Sequence, residues 1–293
     1  MRSGSERFGT VSQRDGQVRD VLERVYGRYC HRKFVPPDPL QFVYKYQALR
    51  DREVVGFLSA ALAYGRVRQI ESSLRNLFGR MEQSPYTFVC SFGKTERREL
   101  ADFKHRFTTG RDIADLLGVL RQVFDRWGSL EHYFLLGYDE SDSTIIPALS
   151  RFCDSLLALY AQANDGRVTP GLKYLLAGPS AGSACKRMNL FLRWMVRKDA
   201  VDPGLWSSID KAKLIVPVDV HMARLCRVLR FYERRALSLA TAVEITKAFG
   251  ELEPADPVKY DFALSRIGIV DNCDGSYRLA CSNCELFEIC FPS

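Results

Sequence analysis

The chain has 293 residues, of which 46% are hydrophobic and 26% charged, with a net charge of +7. That balance excludes a disordered or fibrous chain, and the absence of any run of about eighteen apolar residues excludes a membrane-spanning helix. The length suffices for one large domain or two ordinary ones, and the basic surplus admits a polyanionic partner without requiring one.

Residues 1–17, "MRSGSERFGTVSQRDGQ", are polar and carry no apolar core of a secretory signal. Residues 1–14 are expected to be a flexible tail, and the protein is expected in the cytoplasm. An odd count of nine cysteines fits a reducing compartment. Five of them, Cys30, Cys90, Cys153, Cys185 and Cys226, are scattered and read as small buried hydrophobes.

Helical periodicity then runs along most of the chain. Residues 51–81 space Val54, Phe57, Leu58 and Ala61 on one face; residues 112–128 do the same with Leu116, Leu117, Leu120 and Phe124; residues 145–163 repeat the pattern. Clusters rich in Gly, Pro and polar residues at 35–39, 84–86, 135–142 and 177–182 separate these segments. The best strand-like run, "LIVPVDV" (214–220), has Pro217 in its middle, which argues against a central strand. The class is all-α.

Three segments carry chemistry. In "GPSAGSACKRMNLFLRWMVRK" (178–198) a Gly/Pro/Ser turn feeds a helix with Met188, Phe191, Leu192 and Met195 on its apolar face; Ser180 or Ser183 is expected to cap it. With the helical "GLKYLLA" (171–177) before it, this is a helix–hairpin–helix, whose turn can offer backbone N–H groups to phosphate. Lys186 falls in the first turn. Alone it reads as a surface lysine; beside Arg187 and a positive helix end its ammonium form is disfavoured, which would make it a nucleophile. In "LIVPVDVHMARLCRVLRF" (214–231), Asp219 is expected to cap a helix with Ala223, Cys226 and Leu229 inward. His221 reads as a structural hydrogen-bonder, and Arg224 as a brace of the turn or a phosphate contact. The third segment, "CDGSYRLACSNCELFEIC" (273–290), spaces Cys273, Cys281, Cys284 and Cys290 as C-x7-C-x2-C-x5-C. Four thiolates in one contiguous loop suit a [4Fe–4S] cluster better than zinc, which usually takes two separated knuckles, and better than disulfides.

The order of these segments resembles the helix–hairpin–helix DNA glycosylase superfamily, the group containing endonuclease III and the 8-oxoguanine glycosylases. "GSACK" is similar to the family's G-x-G-x-K hairpin, with Gly182 at the first glycine, Ala184 at the second and Lys186 at the lysine. "VPVDVHM" resembles the VD-x-H segment, with Asp219 at the aspartate. The cysteine run has one residue more than the family's C-x6-C-x2-C-x5-C, and "FLSAALAYG" (57–65) resembles the helix start of endonuclease III. The strings "KRMNLFLRWMVR" and "DPVKYDFAL" resemble a bacterial branch of the superfamily. In all, the likeness covers residues 50 to 290. Residues 198–213 look inserted, Ala61 stands where a base-replacing Gln occurs, and Leu190 stands where the oxoguanine enzymes of the eukaryotic type have Cys.

The resemblance implies two helical lobes, one over 50–198 ending in the hairpin and one over 15–49 plus 199–293 with the iron–sulfur loop. It implies a DNA glycosylase and abasic-site lyase acting as a monomer, near the nucleoid, on double-stranded DNA with an oxidised base. Lys186 and Asp219 would be catalytic, and Cys273, Cys281, Cys284 and Cys290 would hold the cluster. Gly178, Ser180, Gly182, Ser183, Ala184, Arg187, His221, Arg224 and Arg278 would contact DNA. Tyr260, Asp261, Phe262 and Leu190 would line the base pocket, against the plainer reading that Phe262 and Leu264 are core, as Trp194 and Trp206 are expected to be. Two other functions fit the same residues: a non-catalytic nucleic-acid binder, and a glycosylase for another base that leaves Lys186 idle.

Overall fold

The computed structural model describes residues 6–82, 84–182, 184–270, 273 and 276–290. It is all-α among those residues apart from one two-stranded ribbon, β1 (Lys104–His105) against β2 (Thr108–Thr109). In chain order the helices are α1 (Glu6–Tyr29), α2 (Leu49–Ala61), α3 (Val67–Arg80), α4 (Pro85–Cys90), α5 (Lys94–Glu99), α6 (Gly110–Trp127), α7 (Leu130–Leu135), α8 (Ile146–Gln162), α9 (Pro170–Leu175), α10 (Lys186–Val196), α11 (Val220–Val228), α12 (Leu239–Leu252), α13 (Asp261–Val270) and α14 (Phe287–Cys290). No helix among the described residues is long and apolar enough to cross a membrane.

Two boundaries differ from the sequence expectation. Helix α1 begins at Glu6, inside the stretch expected to be a tail. The periodic run 51–81 is two helices, because Gly65 adopts φ +99° between α2 and α3, a conformation that ends a right-handed helix. Residues 214–219 form no strand; they run extended and mostly buried into α11.

The core centres on α2. Val54, Val55, Phe57, Leu58, Ala60 and Ala61 are all fully buried, so this helix is covered on every side. Gly56 permits the closest approach: a Cβ there would stand 2.8 Å from Met195 Cε of α10. On α10 the expected apolar face is buried, and so are Leu190, Trp194 and Val196. The stretch 198–213 is part of this core. Trp206 packs between Phe134 and Phe191, donates Nε1–H to buried Glu53 Oε1 at 2.9 Å, and its backbone N–H bonds to Met195 O. The apparent insertion therefore folds back as a strap along α10. Cys30, Cys153, Cys185 and Cys226 are buried as expected, and Cys90 partly so.

Helix α13 packs against α1 on one side and α11 on the other. The 3-10 turn Pro39–Lys45 packs on α2. The N-termini of α10, α11 and α13 thereby border one cleft.

Candidate functional site

Helix α10 starts at Lys186 after a 3-10 turn (Pro179–Ala181), with Gly182 and Cys185 both at positive φ. Ser180 does not cap it: Cys185 takes the cap position without a side-chain hydrogen bond, and Ser180 Oγ donates to Asp154 Oδ1 at 3.2 Å; Ser183 lies outside the described residues. Helix α11 starts in the expected way. Asp219 is its cap, and Oδ1 accepts from His221 N at 2.9 Å and Met222 N at 3.0 Å.

The second oxygen of that carboxylate meets the lysine. Lys186 Nζ lies 3.0 Å from Asp219 Oδ2, with both side chains about a third exposed, at 34% and 33%. Burial opposes ionisation of Asp219, but the Lys186 ammonium and the Met222 N–H outweigh it and hold the carboxyl below its usual range. Arg187 plays no part in this. Its guanidinium turns inward over the Tyr174 ring, 4.3 Å from the centroid, and donates to Ala61 O at 2.7 Å and to Tyr174 O. The expected Lys186–Arg187 repulsion is thus replaced by an ion pair with Asp219, and Arg187 is a brace between α9, α10 and α2 rather than a surface contact.

Both partners line a cleft of about 200 Å³. Its apolar wall includes Leu190, Met222 and Ile269, with Tyr64 at one side; its polar groups include Arg193, Asp261, Arg266 and Asp38. The charged groups are matched. Arg193 Nη1 donates to Asp261 Oδ2, and Arg266 Nη2 donates to Asp38 Oδ2 at 3.1 Å. Burial raises the Asp261 carboxyl against the pull of Arg193. Behind them a buried network continues through Asp202, Arg197, Asp199 and Asp256.

Of the expected base-pocket residues, Asp261 and Leu190 line the cleft and two do not. Tyr260 is 1% exposed and donates its hydroxyl to Glu23 Oε1 at 2.5 Å; Phe262 is 2% exposed and stacks under Arg266. Helix α13 turns its Asp261, Ser265 and Ile269 face to the cleft, and that i, i+4, i+8 stripe places Phe262 in the core. Among the DNA-contact candidates, His221 lines the cleft and is exposed, Gly178 is buried against Cys153, Gly182 is exposed, and Ala184 O accepts from Asn189 Nδ2. Arg224 is exposed and has no ion pair among the described residues, so it does not brace the turn; Arg278 is exposed beside the cysteine run. Ala61 is fully buried, and the cleft is met beyond the α2 end by Ala63, Tyr64 and Gly65; Phe107, 58% exposed, stacks on Tyr64.

The residues missed by sequence reasoning are Arg193, Arg266, Asp38 and Tyr64. One signal was present: Lys186, Leu190 and Arg193 fall at i, i+4 and i+7 of one helix.

The cysteines Cys273, Cys281, Cys284 and Cys290 border one small cavity of about 20 Å³, walled by Leu225 and Val228 of α11 and by Leu286 and Phe287. Among the described residues no group of three or more His, Cys, Asp or Glu is already arranged to hold a metal ion. The four cysteines border one largely apolar pocket, where burial and the other three thiols push Cys290 up to about 12; as thiolates they would offer the four donors that an iron–sulfur centre takes. Arg278 N–H points at Cys281 Sγ, 3.3 Å away. Ion pairs of Arg24 with Glu288 and of Arg28 with Glu285 tie the loop to α1.

A family model described as "Protein of unknown function (DUF2400)" matches residues 38–270. The chain belongs to this family. The matched span contains Lys186, Asp219 and every residue lining the cleft except Pro37, and it stops short of the four cysteines. No curated protein and no solved structure matches the chain.

Proposed function

We propose that this family member is a DNA glycosylase and abasic-site lyase that removes an oxidised base from double-stranded DNA. The observation that carries the reading is the Lys186–Asp219 pair, 3.0 Å apart on the wall of a base-sized cleft. A base inside a duplex is out of reach of such a cleft, so the nucleotide is extruded first. Unstacking costs a few kcal/mol, and least for a damaged base, which favours damaged sites.

As the bond between C1′ and the base breaks, the base leaves with the electron pair and positive charge grows at C1′. Asp219, fixed by two backbone N–H groups, faces that charge. Its Oδ2 takes a proton from Lys186, freeing the Nζ lone pair to bond to C1′. The C1′–O4′ bond then opens, O4′ is protonated, and a Schiff base joins Nζ to C1′. Loss of a C2′ proton and cleavage of the C3′–O bond nick the strand. Cleft groups thus divide into a reacting pair at the wall and a matched set of buried charges further in.

The uncapped start of α10, with Gly182 and Ala184 before it, would lie along phosphates beside the extruded nucleotide. Cys273, Cys281, Cys284 and Cys290 would hold a [4Fe–4S] cluster, which when bound would close their loop against the back of α11, the helix capped by Asp219.

The same ion pair favours a second reading, in which Lys186 stays an ammonium and Asp219 activates water for base release alone. The experiment separates them. Wild type, Lys186→Gln and Asp219→Asn are mixed with duplexes carrying an abasic site or 8-oxoguanine in the presence of borohydride. A covalent band in wild type that is lost in Lys186→Gln supports the lyase. Base release without a band moves the function to hydrolysis, and DNA binding with neither moves it to a non-catalytic binder.

A further inference from the structure

The ribbon of β1 and β2 pairs His105 with Thr108, so Arg106 and Phe107 alone make its turn. That turn is tied to Tyr64, a residue of the cleft wall. His105 and Thr108 are buried; Tyr64 Oη donates to Thr108 Oγ1 at 2.6 Å, and His105 Nε2 donates to Tyr64 O at 3.1 Å. The tip is therefore fixed on the rim of the cleft, and no step of the proposed reaction uses it. Phe107 stacks on Tyr64, with 5.2 Å between centroids and 29° between planes. Tyr174 stands roughly perpendicular to both, 4.7 Å from Phe107 and 5.2 Å from Tyr64. These three distances make a nearly equilateral triangle, so Tyr174 lies beside the stacked pair and not beyond it. The Phe107 face turned away from Tyr64 is left open, and the residue is 58% exposed.

A single exposed ring needs no explanation. This one is held rigid, backed by a second ring and flanked by cations. Arg106, at φ +54°, runs back along Gly65, where a Cβ would stand 2.7 Å from its Cδ and 2.9 Å from its Nη1; Gly65 also lines the cleft. Arg106 and the neighbouring Arg66 and Arg68 are exposed and form no ion pair among the described residues. A flat apolar face, with a spare guanidinium between it and the cleft, suits a planar ring joined to an anionic link, which is a base and its phosphate. A side chain driven between two stacked bases needs both ring faces open, and Phe107 has one. A base within a duplex has both of its own faces covered, so the base that meets Phe107 is out of the stack. We infer that Phe107 is a stacking platform for an unpaired base next to the one in the cleft, with Arg106 on the phosphate between them, so that the preferred substrate carries an unpaired nucleotide beside the damaged one. This rests on the glycosylase reading and names the form of DNA the enzyme takes.

The test measures binding of the full chain, by fluorescence anisotropy, to duplexes with one abasic site whose neighbours are fully paired or mismatched on the 5′ or the 3′ side. Wild type should bind more tightly when one of the two neighbours is mismatched. Phe107→Ala should weaken binding to that preferred duplex about 5- to 100-fold, the worth of one base–aromatic stack, and so erase the preference. Phe107→Trp should keep the preference, and its introduced indole should be quenched and shielded from acrylamide on the preferred duplex. Should Phe107→Ala lose the ribbon, the indole signal decides alone. Equal weakening by Phe107→Ala on paired and mismatched DNA would make Phe107 a support of the ribbon and overturn the inference. Binding without quenching of the indole would overturn it too, and both results leave the roles of Lys186 and Asp219 standing. Borohydride trapping by wild type is read separately on the same DNAs. Quenching without trapping keeps the platform and overturns the lyase; neither binding nor trapping overturns the glycosylase reading, and the platform with it.

Discussion

Asp219 gives its two carboxylate oxygens to different partners: Oδ1 holds the first turn of α11, and Oδ2 stands 3.0 Å from Nζ of Lys186, the first residue of α10. One side chain thus fixes a helix start and sets the geometry of the amine. The two duties respond differently to substitution.

Asn caps a helix about as well as Asp, and a partly exposed ion pair is worth about 0–1 kcal/mol. Asp219→Asn is therefore expected to unfold in urea within about 1 kcal/mol of wild type, while trapping on abasic DNA falls about 10²–10³-fold. Asp219→Ala loses the cap as well and should cost a further 0.5–2 kcal/mol or so. A large stability loss in the Asn variant would mean that the ion pair, not the cap, holds α11.

The pH dependence follows from the same pair. Unfolded, Asp219 titrates near 3.9, and folding lowers that value, chiefly through Lys186 working against burial. A lowered carboxylate stabilises the fold above its unfolded value and loses that contribution as pH falls through its folded value. The difference in urea midpoint between wild type and Asp219→Asn should be constant above about pH 5 and shrink below about pH 4. A difference that grows on acidification would contradict the ion pair.

How far the site could be read from sequence depends on how local its signals are. Asp219 as a cap and Lys186 in a first turn are local facts, and both hold. Arg187 was misread because what turns it inward is tertiary: Tyr174 lies 13 residues earlier and Ala61 lies 126 residues earlier. Tyr260 was misplaced, and Phe262 follows its plainer core reading, because a short apolar helix such as α13 and the residue before it do not declare which face meets a cleft, whereas Leu116, Leu117, Leu120 and Phe124 of the amphipathic α6 were placed correctly. The stretch 198–213 looked inserted because the gap from Lys186 to Asp219 is longer than in the family the chain resembles; its irregular backbone gives no periodicity to show its anchors, which are Trp206 and the carboxylates that meet Arg193 and Arg197.

Trp206 tests whether that strap belongs to the core. It is 3% exposed, and its loss would leave a cavity beside Phe134 and Phe191 and take from buried Glu53 Oε1 one of its two N–H donors, the other being Glu131 N–H. Trp206→Ala should cost about 3–5 kcal/mol in chemical unfolding. A cost below about 1 kcal/mol would mean that the segment is a loosely held excursion.

The cysteine loop makes a separate prediction. Protein purified without oxygen should be brown and contain about four irons and four sulfides per chain. Cys284→Ser should lose most of that iron and, because the loop packs on Leu225 and Val228, lower the melting temperature of the chain. A colourless chain with one zinc would replace the cluster by a zinc site, and intact stability without any metal would make the loop dispensable.

The most direct measurement is to map the borohydride-reduced adduct. Wild type is trapped on an abasic duplex, the DNA and protein are digested, and the modified peptide is sequenced by mass spectrometry. A deoxyribose remnant on Lys186, absent when Asp219 is replaced by Asn, is the expected result. An adduct on another amine, or none from folded protein that binds the duplex, would contradict Lys186 as the nucleophile.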